Sequence, residues 1–197
     1  MKSELTLRAL RPAVLLLVLF CCACFLAGCG AMKLSPADMD SDQEGELFDI
    51  VEPKDGFSSV YDFQVDGSKV RGIEVKSEQL SPDGKWEAES YAAFKLKDER
   101  SRLYVTYDPG EGGIAGYGEK NTEAAASLPP LQDPDGLDLA LNRTEETEIE
   151  KGRPVILAVF TDSGKAPKDL ESYDKPEKYK GYRNLCILTV TFRGNAK

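Results

Sequence analysis

At 197 residues, 41% hydrophobic and 30% charged, the chain has room for one ordinary domain with a real core and a well-solvated surface. Its formal net charge of −9 repels phosphate backbones and anionic lipid headgroups, which argues against a nucleic-acid partner. There is no histidine, which excludes Ser-His-Asp and Cys-His mechanisms and removes the commonest metal ligand.

The first segment, "MKSELTLRALR", carries Lys2, Arg8 and Arg11 against Glu4. An unbroken apolar run from Ala13 to Leu26 follows. As a helix its 14 residues reach about 21 Å, well short of the ~30 Å hydrocarbon core, so it is a poor membrane span. Cys21, Cys22 and Cys24 lie inside this run. Desolvation there raises a thiol pKa, which is wrong for a metal ligand or a redox pair. A basic start and a short apolar run instead describe a secretory signal.

The signal ends in Leu26-Ala27-Gly28-Cys29, an aliphatic residue, two small ones and a cysteine. This resembles the lipobox of bacterial lipoproteins. The resemblance implies a diacylglyceryl group on the Cys29 thiol and cleavage between Gly28 and Cys29. It also implies a location at the cell membrane or outer membrane, lipid-anchored on the extracytoplasmic face. Loss of residues 1–28 takes Lys2, Arg8, Arg11 and Glu4 away, and the net charge moves from −9 to −11. A diacylglyceryl group supplies the two chains that stable anchoring needs, without any basic patch near the start of the mature chain.

Residues 29–46 read as a lipidated N-terminus and an acidic flexible tether, in which Asp38, Asp40, Asp42, Glu44 and Glu46 alternate with small or polar residues. Gln43 stands where an EF-hand loop needs glycine, which disfavours a calcium loop in the tether. The folded domain is placed at 47–197, opening with "LFDIV" at 47–51.

From there the apolar period is two, the signature of strands. Strands are expected over 58–67, 69–80, 85–97, 102–108, 137–142, 154–162 and 184–193. Trp86, Ala88, Ser90, Ala92, Phe94 and Leu96 alternate as one face, and so do Leu137, Leu139 and Leu141. "PVILAVFTD" is apolar throughout, as in a central strand covered on both faces. Cys186, Leu188, Val190 and Phe192 fall on one inward face, which makes Cys186 a small buried hydrophobe. "NTEAAASL" (121–128) reads as one short helix ended by Pro129-Pro130. The predicted fold is an all-β antiparallel β-sandwich, Ig-like or jelly-roll-like, of about eight strands with one short helix.

Three segments invite chemistry. "DPGEGGIAGYG" (108–118) is glycine-rich, but it has neither the Walker nor the dinucleotide spacing and reads as a mobile connection. "QDPDGLD" sets Asp133, Asp135 and Asp138 around Gly136, a weak calcium candidate that a plain Pro-Asp-Gly turn also explains. "DLESYDKPEKYKGYRN" gathers Tyr173, Tyr179 and Tyr182 with Asp174 and Asn184. Flat amphipathic rings beside hydrogen-bonding groups suit a glycan or a peptide, and this loop is the best ligand surface in the sequence. A long crossover whose tyrosines pack on the sheet explains the same residues.

No catalytic motif and no cofactor are indicated. The sequence reads as a lipid-anchored binding module for a protein, glycan or envelope polymer. An assembly subunit of an envelope complex is the first alternative, and a carboxylate-dependent hydrolase the second.

Overall fold

The computed structural model describes residues 31–38, 56–118, 123–134, 136–162, 175–179, 182 and 184–194. Met32–Lys197 forms one compact unit. Among the described residues there are eleven strands: β1 Lys33–Pro36, β2 Phe57–Gln64, β3 Gly72–Leu80, β4 Trp86–Lys95, β5 Arg100–Asp108, β6 Gly112–Gly118, β7 Ala124–Leu128, β8 Asp138–Asn142, β9 Thr147–Glu148, β10 Pro154–Thr161 and β11 Leu185–Arg193. They form two antiparallel sheets, ordered β7-β6-β5-β2-β1-β9 and β4-β3-β11-β10-β8.

One apolar cluster draws on both sheets. Edge-on ring pairs join them: Phe63 of β2 to Phe192 of β11 at 5.5 Å, Tyr107 of β5 to Phe160 of β10 at 5.9 Å, and Tyr117 of β6 to Phe94 of β4 at 5.8 Å. Such contacts add roughly 0.5–1.5 kcal/mol each beyond the apolar area they bury. The Tyr117 hydroxyl also donates to the Lys95 carbonyl at 2.6 Å.

Four of these strands correct the sequence reading. β1 lies inside the segment read as tether, where it pairs β2 on one edge and β9 on the other, with Leu34 fully buried. Four residues with one buried leucine are too short for a period to show. The acid-rich stretch that follows therefore lies between β1 and β2 in the chain and not ahead of the first strand. β7 replaces most of the expected helix. Its alanines favour a helix, but five residues are too few to repay helix nucleation, whereas pairing with the edge of β6 supplies ladder hydrogen bonds along one side of the strand. Its burial alternates, with Ala124, Ala126 and Leu128 turned to the core.

β6 takes up the glycine-rich segment, which is not a mobile connection. A side chain at Gly113 would strike the Thr106 carbonyl, and one at Gly116 would strike the ring of Tyr104. Tyr104 and Gly116 are partners across the ladder, and the tyrosine ring covers the glycine. These glycines serve close approach. β9 is two residues long and carries no periodic signal. The expected strand at 47–51 lies outside the described residues.

Bulges explain two misassigned faces. Ser77 faces Ser90 and Glu78 faces Ala88, which leaves Glu89 as an extra residue. Ser90, Ala92, Phe94 and Leu96 are buried inward, while Trp86 joins a different cluster on the other face. In β8 the register slips between Leu139 and Leu141. Leu137 belongs to the main core, Leu141 to the second cluster, and Leu139 is exposed. β10 is buried on both faces, as its continuous apolar run predicts, and β11, read from the sequence as one inward face, is buried on both as well.

Candidate ligand-binding surface

The strand directions sort the connections into two ends. β1 starts at one end, here called the base, where β2 and β4 finish, β3, β5 and β10 begin and β11 terminates. The opposite, distal end carries the connections 37–56, 81–85, 109–111, 129–137 and 162–184. The longest of these, 162–184, contains the tyrosines singled out in the sequence.

The crossover between β10 and β11 is tied down by its tyrosines. A single turn of 3-10 helix, Pro176–Tyr179, places Tyr179 against the outer face of the five-stranded sheet. Its ring is 2% exposed and meets Trp86 edge-on at 5.6 Å. Ile156, Val159, Leu185 and Ile187 complete this second cluster, with Tyr182 packed beside it. The Tyr182 amide donates to the Tyr179 carbonyl at 3.3 Å. As a ligand contact Tyr179 is thus corrected: its ring is a cover over the sheet. Tyr182 and Asn184 are half-buried at the rim of that cover. Tyr173 and Asp174 lie outside the described residues, as do Gly28 and Cys29.

The Asp-rich turn is built by backbone geometry. Gly136 sits at φ +73°, and the Leu137 amide donates to the Pro134 carbonyl at 3.1 Å. That is the role a Pro-Asp-Gly turn assigns to glycine. Asp133 and Asp138 are exposed, and Asp135 lies outside the described residues. Among the described residues no group of three His, Cys, Asp or Glu side chains is placed to hold a metal ion. Beside this turn, Asp108 accepts from the amides of Gly110 and Glu111 at 2.7 and 2.9 Å, which shapes the β5–β6 hairpin. The distal 81–85 hairpin is held similarly: Asp83 accepts from Lys85 at 2.8 Å and from Ser81, and these bonds lower its pKa.

The interior polar groups are structural. Ser77 and Ser90 share a hydrogen bond of 2.7 Å. Burial pushes the Tyr107 phenol and the Cys186 thiol well above their ordinary values. A thiol held neutral in this way is no nucleophile. The buried carboxylate Glu78 accepts from the Thr189 hydroxyl at 3.1 Å, and Arg143 donates to the Ile156 carbonyl at 2.8 Å. One exposed aromatic escaped the sequence reading: Tyr91, 67% exposed on β4 opposite Lys76. Its place between buried Ser90 and Ala92 was the available signal.

Comparison with family models, with curated proteins and with solved structures finds no match for this chain.

Proposed function

We propose that this chain is a lipid-anchored bacterial lipoprotein whose two sheets pack face to face as a sandwich and whose distal end binds a protein, glycan or envelope polymer. One observation carries the reading. The strand that follows the lipobox cysteine starts at the base, and the longest connections leave from the opposite end. An anchor at Cys29 would hold the base to the membrane and present the distal loops outward. The cross-sheet ring pairs and the shared apolar cluster support the sandwich. The Trp86–Tyr179 contact supports a rigid seat for the loop, which lowers the ordering cost of binding.

Crosslinking on intact cells tests this, with the protein recovered by a tag after Lys197, which follows the base-end residue Gly194. Amine crosslinks to a partner are expected at the distal lysines Lys85, Lys175 and Lys178. Partner crosslinks confined to Lys33, Lys69 and Lys97 at the base would overturn it. A single abundant partner favours an assembly subunit. For a glycan, binding on an array falls with Tyr173→Ser and Tyr182→Ser; binding unchanged by both removes the loop from the site.

A further inference from the structure

The charges of this acidic chain are sorted along its strands. At the base, Lys69 and Arg71 lie between β2 and β3, and Lys95, Lys97 and Arg100 flank the turn from β4 to β5. Lys151 and Arg153 lie between β9 and β10, and Arg193 ends β11. These segments converge. A Cβ on Gly194 would stand 3.2 Å from the Lys69 carbonyl and 3.6 Å from the Lys151 Nζ.

Several acids at this end are already engaged: Asp66 pairs with Lys69 at 3.0 Å, Glu150 with Arg153 at 2.8 Å, Glu123 with Lys97 at 3.5 Å and Glu74 with Arg193, and Glu99 accepts from the Gly67 amide at 3.2 Å. Asp98 and Glu148 are exposed at the same end. Arg71, Lys95, Arg100 and Lys151 are all exposed and have no ion pair among the described residues. The distal end has the opposite balance: Asp83, Asp108, Glu111, Asp133, Asp138, Asp162 and Glu177 stand on its connections or strand ends against Lys85, Lys175 and Lys178.

The base is also where the anchor must attach. Lys33 follows Cys29 by four residues, and an extended chain covers at most about 3.6 Å per residue, so the start of β1 lies within roughly 14 Å of a lipidated Cys29. At physiological salt the Debye length is about 8 Å. A link no longer than about two Debye lengths lets the base cations come down onto anionic headgroups, whereas a long tether would leave them free to stand beyond the screened field.

We propose that the base of this domain rests on the anionic phospholipid headgroups of the leaflet that holds the Cys29 acyl chains, with Arg71, Arg100 and Lys151 facing the phosphates. This rests on the lipoprotein reading. The acid-rich distal end is repelled from the same surface, so the two ends set one upright orientation.

The test uses the full lipidated protein in phosphatidylcholine vesicles with and without roughly 30% phosphatidylglycerol, a composition that sets an anionic surface potential. A fluorophore is placed at Asp98→Cys on the base or at Asp133→Cys on the distal end, since the native Cys186 is fully buried. Quenching by headgroup spin-labelled lipid is read at each. The base probe is expected to be quenched about threefold more than the distal probe, and more strongly with phosphatidylglycerol. Arg71→Glu, Arg100→Glu and Lys151→Glu together should erase that lipid dependence while the melting temperature and vesicle flotation stay unchanged. A flexible insert after Gly30 should erase the asymmetry. Equal quenching at both ends, or asymmetry indifferent to the charge reversal, overturns the proposal with the anchor intact. A protein mass without the diacylglyceryl group on Cys29 overturns the lipoprotein reading and this proposal with it.

Discussion

Leu34→Ala is the sharpest test of the architecture, because it strikes the strand that the sequence disguises as tether. Leu34 has no solvent exposure, and β1 bridges β2 and β9 in the six-stranded sheet. Truncating a fully buried leucine removes its transfer free energy and leaves a cavity, for a cost of about 2–4 kcal/mol. Domains of this size hold only ~5–15 kcal/mol in total, so the loss is a large fraction of the margin. At roughly 2–4 °C per kcal/mol, the melting temperature should fall by about 4–16 °C. Urea denaturation followed by Trp86 fluorescence reads the same change as a shift in midpoint. Ser35→Ala, half-buried on the same strand, is the control and should move stability by less than about 0.5 kcal/mol. If Leu34→Ala costs no more than Ser35→Ala, β1 contributes nothing to the fold. The base would then lose its fixed distance to Cys29.

Two other outcomes follow from the packing. Gly116→Ala should cost about 1–3 kcal/mol in urea denaturation, because its Cβ meets the Tyr104 ring, and far less in a Tyr104→Ala background; equal costs in both would refute the close approach. Stability should also fall as pH rises from about 10 to 12. Burial pushes the Tyr61 phenol up to about 12 while an unfolded tyrosine titrates near 10, so in that window the unfolded chain releases a proton the folded chain keeps. Two units amount to about 3 kcal/mol from Tyr61, and Tyr107 acts in the same direction. Urea midpoints at pH 9 to 12 should fall less steeply for Tyr61→Phe, and an identical slope would refute the assignment.

Much of the fold was legible where a strand is long and half-buried. β2, β3, β5, β10 and β11 stand where period-two alternation or continuous apolarity put them, because each buries at least one face over eight or nine residues. The failures share one cause. β1, β6, β7 and β9 are short or built from glycine and alanine, so what makes them strands is a neighbour's open edge rather than their own side chains. The bulge at Glu89 belongs to the same class, since an extra residue appears only in the register of a pair. Of the connection between β10 and β11, the sequence showed the tyrosines but not that Tyr179 turns inward onto Trp86.

By itself the sequence determined the β class, the acidic charge and the lipobox-like start, because composition, alternation and a contiguous motif are all local properties. Tertiary structure alone decided where the charges go. Lys33, Arg71, Arg100, Lys151 and Arg193 are scattered along the chain, and no window of sequence is a basic patch. Antiparallel pairing brings every second connection to the same end, so cations far apart in sequence share one surface there. A chain of net negative charge thereby gathers cations at the end where β1 begins.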